Sequence, residues 1–370
     1  MITVSNTYNT IVSNGGSFEW QILNGETVIG ATALISGTIK RTLYEQASIG
    51  NVVAKQLDFE FFKEGITIDD TEPLVVQFRA SLDGDTSEWL TIGTFIIDSI
   101  DTSSYTEKSK VAAFDSIALL NVTFLKTGTW AETTDLAIVQ AIASDMGVSV
   151  ESGTLSAITA DPITISEAPS LGTNGTTSME MLSYIGVMRG GNWILNEANQ
   201  LTLLTLFDEQ EVGADSIDIA EAVVNFDASP AEEITRVCIW ANSNTYYRSP
   251  SGLTDTAWEA LGGRVLNANC YIGATQTLAD SLYTSYSGKS YYPYTAPQAW
   301  VDPKMSLGDA ITIVDIDSVI CNQTISISPL ATSALSAITQ SNTTSNYPQT
   351  TAQERELARQ EQSIASLQVG

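Results

Sequence analysis

Short runs in which apolar and polar side chains alternate constrain this chain most. Phe18, Trp20 and Ile22 alternate with polar or charged neighbours. Leu57, Phe59 and Phe61 alternate with Asp58, Glu60 and Phe62, and Val76, Phe78, Ala80 and Leu82 with Gln77, Arg79 and Ser81. A period of two is that of a β-strand with one buried face. Asn24-Gly25 follows the first run as a hairpin signal, and Asp83-Gly84-Asp85 separates the third from a strand over Trp89–Ile97. A last strand, Lys110–Asp115, leads into Leu119-Leu120. Strands this close together predict a small barrel or sandwich over residues 1–125.

The pattern then changes. Leu136, Val139, Ile142 and Met146 share one helical face, with Thr134 as cap and Gly147 as stop. Thr177-x-x-Glu180 is a capping box for a second helix, which buries Met181, Leu182, Ile185 and Met188 and ends at Gly190-Gly191. Strands at Trp193–Leu195 and Leu201–Leu206 complete an α+β unit over residues 126–215, whose end is an acidic connector. Strands return over 216–335, at Val223–Phe226, Glu233–Ala241, Ala310–Ile316 and Ser318–Ile327, with a helix at Gln276–Tyr286. Residues 336–350 are polar, rich in Ser, Thr and Asn, and 351–370 read helical. Leu357, Ile364 and Leu367 fall at coiled-coil spacing with Gln353 and Gln360. That spacing suits a short oligomer stem or the start of a longer helix, and equally a frayed tail.

Composition limits the chemistry. The 370 residues exceed one simple core and suggest two or three domains. There is no histidine, which excludes Ser-His-Asp and Cys-His catalysis, histidine-ligated zinc and HExxH metalloproteases. Forty-three Asp and Glu stand against 16 Lys and Arg, a net charge of −27. That balance opposes electrostatic capture of nucleic acid or of an anionic membrane. Charged residues make up only 16% and the mean hydropathy is +0.05, so the chain is not a disordered acidic tract. No apolar run reaches bilayer length and residues 1–6 lack a signal-peptide pattern, so neither an anchor nor secretion is expected. Cys238, Cys270 and Cys321 are too few and too scattered for a disulfide framework or a zinc site and read as buried thiols.

Candidate motifs are sparse. Gly288-Lys289-Ser290 ends like a P-loop, but Tyr283 stands where the first glycine is required. Asp83-Gly84-Asp85 and Asp315-Ile316-Asp317 lack the twelve-residue loop and closing Glu of a calcium hand. Paired carboxylates suffice for glycoside hydrolysis, which keeps an Asp/Glu-dependent hydrolase among the alternatives. The seven tryptophans and Tyr291-Tyr292-Pro293-Tyr294 form either core and interface packing or a sugar platform. No cofactor or metal site is expected, and the chain reads as non-enzymatic.

Several patterns, taken in order, resemble those of the phage tail-hub or baseplate-hub family. They are Ile35–Arg41, Ser48-Ile49-Gly50-Asn51, Ala54–Phe59, Glu88-Trp89-Leu90 with Gly93–Asp98, and Ala113–Ser116. Ser178–Ile185, Gly190-Gly191-Asn192-Trp193, Gln200-Leu201, Asp302-Pro303 and Leu307-Gly308-Asp309 follow. The resemblance spans most of residues 30–320. It implies a mainly β fold with two β-barrel-like domains (1–125 and 216–335), a small α+β insertion (126–215) and a polar linker with C-terminal helix (336–370). It further implies a homotrimeric ring that joins a sixfold tail tube to a threefold tip. Its partners would be a distal tail or tube ring and a tape-measure, spike or fibre protein. DNA would pass without specific binding, through a channel to which Asp208, Glu209 and Glu211 are assigned. The implied location is the virion, after assembly in the host cytoplasm. The alternative from another class is a carbohydrate-binding surface module.

Overall fold

A computed structural model describes residues 2–43, 48–101, 107–121, 133–165, 177–205, 217–218, 223–226, 233–242, 244–289, 294–300, 302–313, 316–328 and 332–337. The chain opens with helix α1 (Asn6–Ser13). Strands β1 (Ser17–Asn24), β2 (Thr27–Ile29), β3 (Leu34–Thr42), β4 (Gln56–Phe62), β5 (Leu74–Leu82), β6 (Asp85–Thr86), β7 (Leu90–Asp101) and β8 (Lys108–Phe114) follow, then a 3₁₀ turn at Ser116–Leu120. The middle holds β9 (Thr133–Thr134), α2 (Asp135–Asp145), β10 (Ser149–Val150), α3 (Ser152–Ala160), β11 (Thr164–Ile165), α4 (Ser178–Arg189), β12 (Gly191–Leu195) and β13 (Gln200–Thr205). Next come β14 (Ile217–Asp218), β15 (Val223–Phe226), β16 (Ile234–Trp240), β17 (Tyr246–Ser249), α5 (Asp255–Glu259), β18 (Arg264–Asn269) and α6 (Gln276–Tyr286). Strands β19 (Tyr294–Trp300), β20 (Ala310–Ile313), β21 (Ile316–Val319), β22 (Asn322–Ser326) and β23 (Thr332–Ala337) complete the described elements. The protein is mainly β with a smaller α+β part, as expected.

Twelve strands form one sheet, ordered β15-β19-β23-β22-β3-β4-β8-β7-β5-β1-β2, with β6 paired to β5. Strand β7 is long enough to serve both halves. Its first part pairs with β5 and its second with β8. The sheet therefore folds over itself. The inward residues of β1 and β5 meet those of β4, β3 and β8 in one core around Phe18, Trp20, Ile22, Phe78, Leu57 and Ile39. Each such side chain, once fully buried, contributes roughly 1.5–3 kcal/mol. The Trp20 indole N–H donates to Ser328 O at 2.8 Å and ties β1 to the end of β22. Strands from both β-rich blocks share this sheet, since Ile325 pairs with Ile39 across β22 and β3.

A second core gathers Leu43, Ile49 and Ile117 with α2, α4, β12, β16, β18 and α6. Helix α4 keeps its capping box, with Thr177 and Glu180 bonded reciprocally, and stops at Gly190 in the left-handed region. Both α2 and α6 occupy the spans that periodicity predicts.

Some local expectations are displaced. The Asn24-Gly25 hairpin turns at Gly25-Glu26 instead, because Asn24 pairs with Thr27. The Asn24 side chain is buried, and its amide donates to Asp69 O and Glu72 O, both at 3.0 Å. The Asp83-Gly84 turn forms as expected, with φ of 52° and 97°, the left-handed pair a two-residue hairpin needs. The single run at Ser318–Ile327 is split. Its first part, β21, pairs with β20, and β22 joins the large sheet after the buried Ile320 and Cys321.

Candidate functional site

One row of polar residues crosses the end of the large sheet where β22, β3, β4 and β8 meet. Gln323 pairs with Arg41, Lys40 with Gln56, and Gln56 with Phe114. One step further, Arg41, Lys55 and Asp115 continue the row. The Lys55 N–H donates to Asp115 Oδ2 at 3.0 Å, and the Asp115 N–H donates to Lys55 O at 3.0 Å. All four residues are at most 3% exposed. Two residues back along each strand, Ile325, Ile39, Leu57 and Ala113 belong to the first core. Two residues onward, Cys321, Leu43 and Ile117 belong to the second. The row is a polar layer between two apolar cores.

Residues from distant loops complete it. Glu197, in the turn between β12 and β13, accepts from Arg41 Nη1 at 2.6 Å and from the Ser306 hydroxyl at 2.9 Å. Lys55 Nζ donates to Asn196 O at 3.1 Å. Asp309 accepts from the Ser306 N–H at 2.7 Å. Burial would raise the Glu197 carboxyl, but Lys55 and Arg41 outweigh it and hold that carboxyl below its ordinary range. Burial raises Asp309. It pushes Asp115 up to about 6, against the downward pull of the Lys55 and Ile117 amides and the Lys55 charge. The row is closed to solvent, and its hydrogen bonds tie the loops at Glu197 and Ser306 to the strand ends.

The Asp115 shift has a pH signature. Its folded value of about 6 lies above the ordinary 3.8. The folded state thus binds this proton more tightly than the unfolded one. Burying the ionised form opposes folding above about pH 6, and the opposition fades as the pH falls toward 4. Two units correspond to about 3 kcal/mol. Wild type should therefore gain on the order of 3 kcal/mol relative to Asp115→Asn between pH 7 and pH 4, read from urea unfolding. A stability difference that does not change with pH would contradict this assignment.

A second joint brings two glycine-containing patterns together. The Gly50 N–H donates to Gly191 O at 2.8 Å, and the Trp193 N–H to Asn51 O at 2.8 Å. The Asn192 side chain accepts from the Asn51 N–H and donates to Ser48 O. Helix α4 presses on this joint through Gly186. A Cβ there would stand 2.9 Å from Gly191 O and 3.2 Å from Gly50 Cα. Gly50 itself has φ +83°, and a Cβ would meet Val187 at 2.5 Å. Trp193 is fully buried beneath, its indole N–H donating to Leu182 O at 2.8 Å.

The outer face of the same sheet carries an open concavity of about 460 Å³. One row across its floor runs Ser36, Glu60, Lys110, Asp101, and the next runs Thr38, Asp58, Ala112, Ser99. Lys40 Nζ lies 3.7 Å from Asp58 Oδ2. The Gln56 amide donates to the same oxygen at 2.8 Å.

The residues assigned to a channel, Asp208, Glu209 and Glu211, lie outside the described residues, as do Leu357, Ile364 and Leu367 of the stem. Tyr291, Tyr292, Pro293 and Trp130 also lie outside them. Trp20, Trp193, Trp240, Trp258 and Tyr294 are buried, so these aromatics pack the interior and make no open platform. Trp89 is half-buried under the Arg79 guanidinium, 4.6 Å from its ring centroid. The three cysteines are buried thiols, and burial pushes Cys238 and Cys270 up to about 12. Sequence reasoning missed the polar row. Its signal was parity: Arg41, Lys55 and Asp115 stand at core-facing positions beside Ile39, Leu57 and Ala113.

No protein-family model matches the chain, and no curated protein matches it. Solved structures do. The tail protein from Neisseria meningitidis MC58 is 12% identical and aligns over 86% of this chain and 96% of its own, with a TM-score of 0.51. The 43 kDa tail protein of prophage MuSo2 from Shewanella oneidensis is 14% identical over 87% and 98%, at 0.48. Prophage tail protein gp18 from Listeria monocytogenes is 12% identical over 87% and 95%, also at 0.48. At 12% identity the likeness to the Neisseria protein is one of fold.

Proposed function

We propose that this protein is a structural component of a phage tail, acting as hub or adaptor at the tail tip or baseplate. The observation that carries the reading is the fold shared with the Neisseria tail protein along nearly the full length of both chains. The net charge of −27 supports it. A conduit for DNA must not hold phosphate, because every Lys or Arg contact adds counterion-release affinity. The two joints support it as well. Residues of the ordered patterns, such as Arg41, Gly50, Asn192, Trp193 and Asp309, here build the fold and open onto no substrate cleft.

On this reading three copies close into a ring. The β-rich blocks 1–125 and 216–335 supply six similar positions facing a sixfold tube, and block 126–215 stands between them. Asp208, Glu209 and Glu211 line the channel. Residues 336–370 form a linker and a stem through Leu357, Ile364 and Leu367. The neighbours are a distal tail or tube ring on one side and a tape-measure, spike or fibre protein on the other. The protein performs no catalysis and needs no cofactor. It resides in the virion after assembly in the host cytoplasm.

Light scattering and electron microscopy of the purified chain test this. The expected particle has three times the 39.7 kDa chain mass, with threefold symmetry and an axial channel. A monomer at every concentration, or a closed oligomer without a channel, would overturn the ring.

A further inference from the structure

We propose that the buried polar layer encloses bound water, held between Arg41 and Gln323. These two residues face each other across β3 and β22, and each is 1% exposed. Directly paired residues project from the same face of a sheet. Here that face is the interior, since the next inward pair, Ile39 and Ile325, is fully buried. The ladder continues past the pair, with the Leu43 N–H donating to Cys321 O at 2.7 Å. The strands therefore do not part to let solvent reach the two side chains.

Four polar atoms of this pair have no hydrogen-bond partner among the described residues: Arg41 Nε and Nη2, and Gln323 Nε2 and Oε1. Buried polar groups are nearly always bonded, because one left unpaired has lost its solvation for nothing. The four atoms are complementary, three donors and one acceptor, and yet they do not bond one another. Arg41 is held by its Nη1 bond to Glu197 at 2.6 Å, so it cannot swing onto Gln323 without giving that bond up. Its Nε and Nη2 form one edge of the guanidinium, a fork that bonds a single oxygen or a pair of them. Where complementary groups stand opposite without touching, a molecule that both accepts and donates joins them. Water accepts from the Arg41 fork and donates to Gln323 Oε1, and a buried water typically makes about three such bonds. A halide accepts from the same donors but carries no proton for Oε1. The charge of the layer favours a neutral occupant too. Arg41 already interacts with Glu197 and Asp309, and Lys55 with Glu197 and Asp115. Enclosed in this way, the water exchanges with solvent only when the surrounding structure opens.

The inference does not depend on the tail reading. A high-resolution crystal structure of the full chain, from crystals soaked in bromide, tests it directly. At least one water peak should lie within about 3.2 Å of both the Arg41 fork and the Gln323 amide, with no anomalous bromide signal there. Water-oxygen relaxation dispersion in solution gives a second measurement. Gln323→Met removes the amide at nearly constant volume and should lower the dispersion amplitude by the contribution of at least one long-lived water. The thermal midpoint of the variant serves as the fold control. A bromide peak at the pair, or no density between Arg41 and Gln323, would overturn the proposal. So would an amplitude unchanged in folded Gln323→Met.

Discussion

Replacing Arg41 with alanine should cost about 3 kcal/mol of folding stability, read as a lowered urea midpoint. Arg41 is 1% exposed, and its Nη1 donates to Glu197 at 2.6 Å. Removing the guanidinium leaves the Glu197 carboxylate in a low-dielectric layer with only Lys55 and Ser306 beside it. The pair itself is not ideally satisfied, since Arg41 Nε and Nη2 have no hydrogen-bond partner among the described residues. Much of the single-variant loss is therefore the penalty of an orphaned charge. The double variant Arg41→Met with Glu197→Met should return to within about 1 kcal/mol of wild type. A double variant less stable than Arg41→Ala would contradict this view of the polar layer.

Trp193→Ala should cost more, about 3–5 kcal/mol, with the thermal midpoint falling by roughly 10 °C. The side chain is fully buried in the second core, and no neighbour can refill its volume without moving α4. Gly186 and Gly50 already stand at the limit of close approach around it. Trp193→Phe separates the contributions. It keeps most of the packing and loses the 2.8 Å bond to Leu182 O, so the expected cost is about 1–2 kcal/mol. Equal losses for the two substitutions would mean that the hydrogen bond, and not the volume, holds the joint.

The strands were legible wherever one face is buried. In β1, β4 and β5 the alternation read from Phe18, Leu57 and Val76 matches the burial up to Ala80, and only Leu82, at the end of β5, is partly buried where the alternation expects a buried residue. The capping box of α4 and the Asp83-Gly84 turn were equally plain, because local chemistry decides them. Where tertiary contacts decide, the sequence was silent. Helix α1 is rich in Asn, Thr and β-branched residues and has poor intrinsic propensity. It exists because the Ser5 hydroxyl caps it and because Tyr8 and Ile11 fill the first core. The Asn24 turn moved by one residue for a similar reason, since the side chain that signals a turn serves the segment around Asp69 and Glu72. The polar layer was hidden because its members come from residues 41, 55, 115, 197, 306, 309 and 323, and no local spacing links them. The concavity depends on strand order, which alternation alone does not set.

The pairing of β22 with β3 also governs how the molecule comes into being. Ile39 waits for Ile325, 286 positions later in the chain. At synthesis rates of about 5–20 residues per second, that interval is roughly 15–60 s. Until then β3 presents an open edge, and the first core lacks Ile325 and Ile327. Until β22 has been made the nascent sheet cannot close, and its exposed rim is open to mispairing with another nascent copy. Completion of the large sheet is thus among the last steps of folding, so this chain matures late, after its middle elements can already have formed.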